Sequence, residues 1–340
     1  MIFKNAELYN VCEIKKSPDR EGYLMSRIPE EVRLKLNDEA RKRAYFSPGC
    51  EIRFVINAGS AEITLMRSPG GDVLPTGIAE IYHGCFQGSY QITPFVIGNE
   101  PIKITIEKPA KLEMMEALSK EYRLPFDPNV TRVLLPYDWE NCLVDIQGDI
   151  APPSGEQVPD KKILCYGSSI THGGSGVHPS EAYASKLAAR LGFDLTNLGF
   201  AGSAHMEAAM ADYIAEREWD VATLEMGINV INDWTLEQFE ERIDYFISRI
   251  AENNHDRWIF CTDLYTNARD YAQLPKVEQF RQAVRKKVET LNLPKLVYVP
   301  GRQLLNDPAG LSADLVHPSS AGMDTIANNF YGVISERVKI

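Results

Sequence analysis

The chain has 340 residues, of which 44% are hydrophobic and 24% are charged, and its formal net charge at pH 7 is -11. This balance is typical of a globular protein, and the length is sufficient for two domains. The negative charge argues against binding to nucleic acid or to an anionic membrane surface, because both are bound with Lys and Arg.

The first residues and the cysteines predict a cytoplasmic location. The first ten residues include Lys4 and Glu7 and lack an apolar segment followed by a small-residue cleavage site, so we predict no secretory signal. No stretch is apolar enough to predict a membrane-spanning helix. Six cysteines occur without paired spacing: Cys12, Cys50, Cys85, Cys142, Cys165 and Cys261. We expect them to be buried, reduced thiols rather than disulfides.

Residues 1–150 are predicted to form an all-β accessory domain of the sandwich or jelly-roll type. Apolar and polar residues alternate in 102–106, as in an antiparallel strand with one solvent-exposed face. The predicted strands are 52–56, 61–66, 90–97, 102–106 and 132–135, the predicted turns are 57–59, 69–71 and 98–99, and one helix is predicted in 110–122. Many short strands with frequent turns favour a sandwich.

Residues 151–160 are predicted to be a linker. They contain Pro152, Pro153 and Pro159. Three prolines in ten residues are incompatible with a continuous helix or a central strand.

Residues 161–340 are predicted to form an α/β domain with a parallel sheet. Short apolar segments alternate with amphipathic helical segments, one of which follows a capping box at Thr235 and Gln238. The predicted strands are 163–166, 193–198, 221–226, 258–262 and 296–299. This alternation indicates βαβ units and a sheet that is covered by helices on both faces.

Small and polar residues follow several of these predicted strands. Ser169 follows the first strand, Gly202 the second and Asn229 the third, whereas Asp314 and His317 lie in a segment after the fifth. In an open parallel sheet, ligands bind at the carboxyl ends of the strands. We therefore expect these five residues to meet at one edge of the sheet.

These residue types suit acyl transfer. A serine hydroxyl is a poor nucleophile unless a base accepts its proton, and His317 can accept the proton of Ser169. Asp314, three residues earlier, can hold the other ring nitrogen of His317. The backbone N–H groups of Ser169 and Gly202 and the side-chain amide of Asn229 are candidate donors to the developing oxyanion.

The same residues resemble the SGNH hydrolase superfamily of GDSL-type esterases. Its four blocks match Ser169 in Gly-Ser-Ser-Ile, Gly202 in Asn-Leu-Gly-Phe-Ala-Gly, Asn229 in Gly-Ile-Asn, and His317 in Asp-Leu-Val-His-Pro. The resemblance covers about residue 161 to the C-terminus. It implies a flavodoxin-like three-layer α/β/α fold and a reaction without a metal or organic cofactor. The N-terminal half resembles the jelly-roll domains that precede some bacterial carbohydrate acetyl-esterases.

The chain departs from the family pattern at two positions. Ser168 stands where the first block usually has Asp, which removes a charge beside Ser169. Val230 follows Asn229, where Asp is usual, and Asp233 comes later.

Taken one at a time, these residues also suit structural roles. Ser169 suits a helix N-cap, Asp314 a turn cap, and both Gly202 and Asn229 suit tight turns. We expect His172 at most to line the pocket. His205 and Glu207 have the spacing seen in zinc deaminases but lack the cysteine motif of that site.

We expect a serine esterase that removes a small acyl group, such as acetyl, from a carbohydrate or similar polyol. The partner is then a small-molecule ester, and the sequence leaves self-association open. Three alternatives remain: an acyltransferase with the same residues, a lipase or thioesterase, and a non-enzymatic carbohydrate-binding protein.

Overall fold

The computed structural model describes residues 1–68 and 77–339, and the predicted turn at 69–71 lies outside them. The described chain forms a β region, residues 1–151, and a parallel-sheet region, residues 161–339. The predicted fold class, an α/β unit preceded by a β unit, is confirmed. The predicted domain boundary at 151–160 stays a prediction.

In its described part, the β region contains an antiparallel sheet of eleven strands. The elements in chain order are β1 (Ile2–Phe3), β2 (Ala6–Tyr9), β3 (Glu13–Lys16), β4 (Tyr23–Ser26), α1 (Glu30–Arg33), α2 (Asp38–Arg43), β5 (Glu51–Arg67), β6 (Gly77–His83), β7 (Phe86–Gln87), β8 (Phe95–Ile97), β9 (Ile102–Glu107), α3 (Leu112–Tyr122), β10 (Val130–Leu134) and β11 (Asn141–Ala151). The strand order is β3-β4-β11-β5-β10-β6-β7, with β2 and β9 also paired to β5. The predicted helix in 110–122 is confirmed as α3.

Strand β5 differs from the prediction, because 57–59 is not a turn between two strands. The buried apolar residues have even numbers before this point, as at Ile52 and Phe54, and odd numbers after it, as at Ile63 and Leu65. An irregularity in the pairing with β11 allows this change of phase, and Gly59 lies within it with φ of +67°. A β-bulge therefore keeps the apolar side of one long strand facing the core.

The strand predicted at 90–97 is also wrong over its first five residues. Only Phe95–Ile97 forms a strand, whereas residues 90–94 form a turn in which the N–H of Thr93 donates to Ser89. Pro94 has no N–H to donate to a neighbouring strand, which is consistent with this shorter strand.

The parallel-sheet region has five strands in the order β13-β12-β14-β15-β16 among its described residues. The elements are β12 (Lys162–Gly167), α4 (Ser169–His172), α5 (Tyr183–Leu191), β13 (Asp194–Gly199), α6 (Ala208–Glu216), β14 (Val221–Glu225), α7 (Leu236–Asn253), β15 (Trp258–Thr262), α8 (Ala268–Tyr271), α9 (Pro275–Leu291), β16 (Leu296–Val299), α10 (Gly301–Leu304) and α11 (Ser320–Ser335). All pairs are parallel. Apolar helix faces pack on both sides of the sheet, so the predicted three-layer arrangement is confirmed.

Helix α7 illustrates how the sequence places one of these layers. Its predicted capping box is present, since Thr235 accepts a hydrogen bond from the N–H of Gln238 and the side chain of Gln238 accepts one from the N–H of Thr235. Its apolar stripe, including Phe239, Ile243 and Phe246, is buried against the sheet. The cap fixes where the helix begins, and the stripe fixes which face it buries.

The two regions share buried contacts. Arg53 on β5 donates from Nη1 and Nη2 to the carboxylate of Asp194 at 2.8 and 2.6 Å, and both side chains are buried. Ile28, Leu36 and Ala40 come from the β region but belong to the apolar core of the parallel-sheet region. The β region is therefore built into the second region rather than tethered to it.

Each described helix is too short or too polar to cross a membrane. The six cysteines are free thiols; four are buried, as expected, but Cys12 and Cys85 are half-buried.

Candidate active site

Ser169 is the first residue of α4, directly beyond the carboxyl end of β12. The N-cap is Ser168, whose side chain accepts a hydrogen bond from the N–H of Ile170. The alternative role of Ser169 as the helix N-cap is therefore wrong. Its hydroxyl is available for other contacts, and its backbone N–H belongs to the first turn, where a helix provides no partner.

The structure brings Ser169, His317 and Asp314 together in one chain of hydrogen bonds. Ser169 Oγ lies 2.7 Å from His317 Nε2, and His317 Nδ1 lies 2.6 Å from Asp314 Oδ2. With Nδ1 protonated toward Asp314, Nε2 is free to accept the serine proton.

Asp314 is held by more than the imidazole. Its Oδ1 accepts hydrogen bonds from Ser312 Oγ and from the backbone N–H groups of Val316 and His317, at 2.8–2.9 Å. Partial burial acts to raise the pKa of Asp314, but the hydrogen bonds from His317, Val316 and Ser312 bring it well below its ordinary value. Asp314 is therefore a carboxylate across the neutral pH range.

The segment that carries Asp314 and His317 is a closed turn. Leu311 and Pro318 form a β-bridge at its base. Leu315 at its tip has φ of +55°, a conformation that is costly for a side chain with a Cβ, and its carbonyl accepts the N–H of Ala268 at 2.7 Å. The bridge and the hydrogen bond fix the backbone of the turn, and therefore the positions of His317 and Asp314 relative to each other.

The two other predicted donors lie in neighbouring loops after β13 and β14. Gly202 has φ of +68°, which favours glycine. Asn229 Oδ1 accepts the backbone N–H of Ala204 at 3.1 Å. This bond joins the two loops and leaves the NH₂ of Asn229 able to donate elsewhere.

Sequence reasoning missed Glu225 at the end of β14. Its Oε2 accepts hydrogen bonds from the N–H of Ser168 at 2.7 Å, from Ser168 Oγ at 2.9 Å and from Thr171 Oγ1 at 2.8 Å. Burial raises the pKa of Glu225, and the bonds from Ser168 and Thr171 oppose this shift. The available signal was one charged residue in an otherwise apolar predicted strand, 221–226.

Two glycines allow the turn that carries Ser169 to pack closely on its surroundings. A Cβ on Gly167 would lie 2.3 Å from Glu225 Oε2 and from Thr171 Oγ1. A Cβ on Gly199 would lie 2.3 Å from the backbone nitrogen of His172. Both strand ends therefore need glycine because other atoms occupy the space of a side chain.

The expectation that His172 lines the pocket is wrong. The side chain is buried between the rings of Phe46 and Tyr137, both from the β region, and Nδ1 lies 2.8 Å from the carbonyl oxygen of Gly199. Burial lowers the pKa of His172 to about 3, so the ring is neutral. It connects the turn that carries Ser169 to the β region.

Hydrogen bonds from the β region also reach the loops of the site. Asn10 and Arg27 donate to the backbone oxygen of Asn197, whose own side chain donates to the carbonyl oxygen of Thr171. A second contact runs from Asn37, which donates to the carbonyl oxygen of Ser203 and to Glu207.

A cavity of 520 Å³ lies elsewhere between the two regions. Tyr82, Phe126 and Arg132 line it from one side and α5 from the other, and neither Ser169 nor His317 contributes to its wall. No group of His, Cys, Asp and Glu in residues 1–68 and 77–339 is arranged to hold a metal ion.

Comparisons with known proteins identify the parallel-sheet region. Residues 160–335 match the sequence profile of the GDSL-like Lipase/Acylhydrolase family. No match is found among the curated proteins.

Solved structures resemble nearly the whole chain. Salicylyl-acyltransferase SsfX3 from a tetracycline biosynthetic pathway matches with a TM-score of 0.77 at 15% identity over 98% of this chain and 95% of that one. A protein from Bacteroides ovatus ATCC 8483, described as a GDSL-like lipase, matches with a TM-score of 0.69 at 19% identity over 97% of both chains. An active-site mutant of a family two carbohydrate esterase from Clostridium thermocellum matches with a TM-score of 0.63 at 16% identity over 86% and 93%. At these identities the likeness concerns the fold.

Proposed function

The chain belongs to the GDSL-like lipase/acylhydrolase family, and from this premise we propose that it hydrolyses small acyl esters, with acetyl the preferred group, on a carbohydrate or similar polyol. The observation that carries the proposal is the continuous chain from Ser169 Oγ through the ring of His317 to Asp314, at 2.7 and 2.6 Å. This arrangement suits a nucleophile, a general base and an orienting carboxylate.

In the proposed reaction, Ser169 Oγ attacks the ester carbonyl carbon while its proton passes to His317 Nε2. The tetrahedral intermediate collapses when His317 returns that proton to the leaving alcohol, which leaves an acyl group on Ser169. His317 then takes a proton from water as the water oxygen attacks the acyl carbon. It returns that proton to Ser169 Oγ as the bond between Oγ and the acyl carbon breaks, which releases the carboxylic acid and regenerates the hydroxyl. Asp314 stabilises the protonated imidazole during both steps.

The oxyanion is proposed to accept hydrogen bonds from the backbone N–H groups of Ser169 and Gly202 and from the side-chain amide of Asn229. The orientation of Asn229 supports this role, because its oxygen is occupied by the N–H of Ala204. Donors that are fixed before the reaction stabilise the intermediate without reorganisation.

The preference for a sugar ester draws on the family two carbohydrate esterase, whose structure resembles both regions of this chain. Acetate release from acetylated sugars, compared with p-nitrophenyl esters of rising chain length, tests it. A preference for long acyl chains would overturn it and indicate a lipase or thioesterase.

Labelling with a fluorophosphonate followed by peptide mass spectrometry tests the nucleophile. We expect the label on Ser169 of the intact protein and none on Ser169→Ala, whereas Ser168→Ala retains it. Absence of labelling, or a label on another serine, would overturn the assignment.

Acyl transfer is a second candidate because the salicylyl-acyltransferase resembles this chain over both regions. An alcohol acceptor would then replace water in the second step. Product analysis with sugar and aromatic alcohols distinguishes the two, since a transferase forms a new ester while a hydrolase releases the free acid.

A further inference from the structure

Glu225 is a buried carboxylate directly behind the turn that carries Ser169. It is 2% exposed, and its Oε2 accepts hydrogen bonds from the N–H and Oγ of Ser168 and from Thr171 Oγ1. These two residues flank Ser169 on the turn and in α4. The position of the turn that presents Ser169 therefore depends on one oxygen atom from the neighbouring strand.

The contacts of Glu225 favour its ionised form. A backbone N–H can only donate, and both hydroxyl groups can donate to Oε2, so these contacts stabilise the carboxylate without a proton of its own. Thr171 Oγ1 also lies 2.8 Å from the hydroxyl of Tyr183, which can donate to it in turn. These donors are uncharged, and in residues 1–68 and 77–339 no guanidinium or ammonium group is hydrogen-bonded to Glu225.

Four titratable groups interact electrostatically with Glu225 from the elements around it: Tyr166 on β12, Tyr183 on α5, Tyr265 after β15, and His317. Burial raises the pKa of all three tyrosines, so they stay neutral. His317 alone among the four gains and loses charge in the proposed reaction, and Asp314 is its other carboxylate neighbour.

We propose that Glu225 is a positioning residue for Ser169, and that it supplies from strand β14 the negative charge that the first block of GDSL-type esterases usually carries at the position of Ser168. The charge has moved from the turn to the strand behind it, and it remains near the nucleophile and the base. The inference rests on the proposed function, since it assumes that Ser169 and His317 react.

The variant Glu225→Gln removes the charge and keeps an oxygen that can accept from Ser168. We expect kcat for p-nitrophenyl acetate to fall by about 10- to 100-fold through misplacement of Ser169. We also expect the acidic limb of the pH–kcat profile to move to lower pH by about half a pH unit or more, because the protonated imidazole loses a negative neighbour. An unchanged kcat or an unmoved limb would overturn the proposal, since a structural role alone lowers the plateau without shifting the limb.

The double variant Ser168→Asp with Glu225→Gln tests whether the charge can be returned to the position that the family uses. We expect it to recover at least about 5-fold of the activity lost in Glu225→Gln and to move the acidic limb back toward higher pH. The single variant Ser168→Asp, with two carboxylates where Ser168 Oγ and Glu225 Oε2 now lie 2.9 Å apart, should be less active than the double variant. A double variant no better than Glu225→Gln would overturn the relocation of charge, including where Glu225→Gln itself folds poorly.

Thr223→Val is the matched control, because Thr223 is buried two residues earlier on the same strand. It should leave both kcat and the pH profile unchanged, and an equal loss in this control would overturn a specific role for Glu225. Fluorophosphonate labelling of the wild-type protein distinguishes failure of the proposed function from failure of the proposed role of Glu225. Failure to label Ser169 refutes the proposed function, whereas normal labelling with an unaffected Glu225→Gln variant refutes only this inference.

Discussion

The β region and the parallel-sheet region both bury charged side chains, but they use them differently. In the β region, the guanidinium groups of Arg27 and Arg53 extend outward into the other region, to the backbone of Asn197 and to Asp194. In the parallel-sheet region, the carboxylate of Glu225 contacts the turn that carries the proposed nucleophile. One set of buried charges joins two regions, and the other organises a site within one region.

We infer that the buried charges that stabilise the fold and the residues proposed to react are largely different residues. The groups proposed to react all lie at carboxyl ends of parallel strands or in the turn at residues 311–318. The β region contributes supports to these loops but no proposed reacting group. Substitutions of the proposed reacting residues should therefore lower activity more than stability, and substitutions of the buried charges between the regions should lower stability more than activity.

The largest expected effect is on activity. Ser169→Ala should lower kcat/KM for p-nitrophenyl acetate by about ten-thousand-fold, because the nucleophile is removed and only binding and oxyanion contacts remain. Its free energy of unfolding should change by less than about 1 kcal/mol. Ser335→Ala, on the last helix, should keep full activity. A Ser169→Ala protein with more than a tenth of the wild-type rate would contradict the proposal that Ser169 is the nucleophile.

For Arg53→Met we expect the opposite result, a large loss of stability with little change in activity. Asp194 would stay buried without its charged partner, so the free energy of unfolding measured in urea should fall by about 3–5 kcal/mol. The activity of the folded fraction should change little. The control is Arg41→Met, which breaks an exposed ion pair with Asp38 and should cost less than about 1 kcal/mol. Equal losses in the two variants would show that the interface pair is unimportant.

The stability of the protein should depend on pH through Glu51, which forms ion pairs with Arg53 and Arg132. Burial acts to raise the pKa of Glu51, but Arg132 and Arg53 outweigh it and lower that pKa to about 2. The resulting stabilisation, of about 3 kcal/mol, is present above pH 4.5 and is lost as the pH falls toward 2. The difference between the free energies of unfolding of wild type and Glu51→Gln in urea should therefore be fully present at pH 5 and above and should shrink in acid. Glu113→Gln, on an exposed face, should show no such convergence.

Gly167→Ala should affect both properties, because its Cβ would lie 2.3 Å from Glu225 Oε2. We expect a loss of about 1–3 kcal/mol in stability and a fall in kcat of at least about 10-fold. Gly332→Ala, in α11, makes the same change where, apart from its chain neighbours and the backbone of its own helix, no atom of the described residues lies within 4 Å of the new Cβ. That control should be stabilised by about 0.5–1 kcal/mol with unchanged activity. Thermal unfolding and initial rates distinguish the two.

The smallest effect is expected where the β region supports the loop of Gly202. Asn37→Ser keeps a capping oxygen for α2 but removes the donor to the carbonyl oxygen of Ser203. We expect kcat to fall by about 3-fold and stability to fall by about 1 kcal/mol. Asn99→Ala, at an exposed position of the same region, is the control. An unchanged kcat would mean that this loop needs no support from the β region.

The sequence predicted the parallel sheet well, because buried parallel strands are continuous apolar segments and the helices between them are amphipathic. The predicted strand 258–262 coincides with β15 residue for residue. The five predicted site residues also lie after the strand ends that suggested them, since the carboxyl ends of parallel strands share one edge of the sheet. Their chemical roles stay proposals.

Features that depend on distant partners escaped the sequence analysis. The bulge in β5 could not be distinguished from a turn, because Asn-Ala-Gly suits both and only pairing with β11 decides. Glu225 interacts with residues 54 to 57 positions earlier in the chain, so a charged residue in a predicted strand was visible but its partners were not. The four strands before residue 27 have two to four residues each and were too short to show a period of two.

The shared core limits how freely this architecture can be divided or recombined. Ile28, Leu36, Ala40 and Ala44 fill space beneath the parallel sheet, although the family match begins only at residue 160. A fragment that begins at residue 160 would lack these side chains, would expose the apolar surface that they cover and would tend to aggregate. Exchange of the first 150 residues with those of a relative would succeed only if the donor supplied side chains of the same shape. We therefore expect packing to constrain substitutions at these four positions, although none of them is a proposed reacting residue.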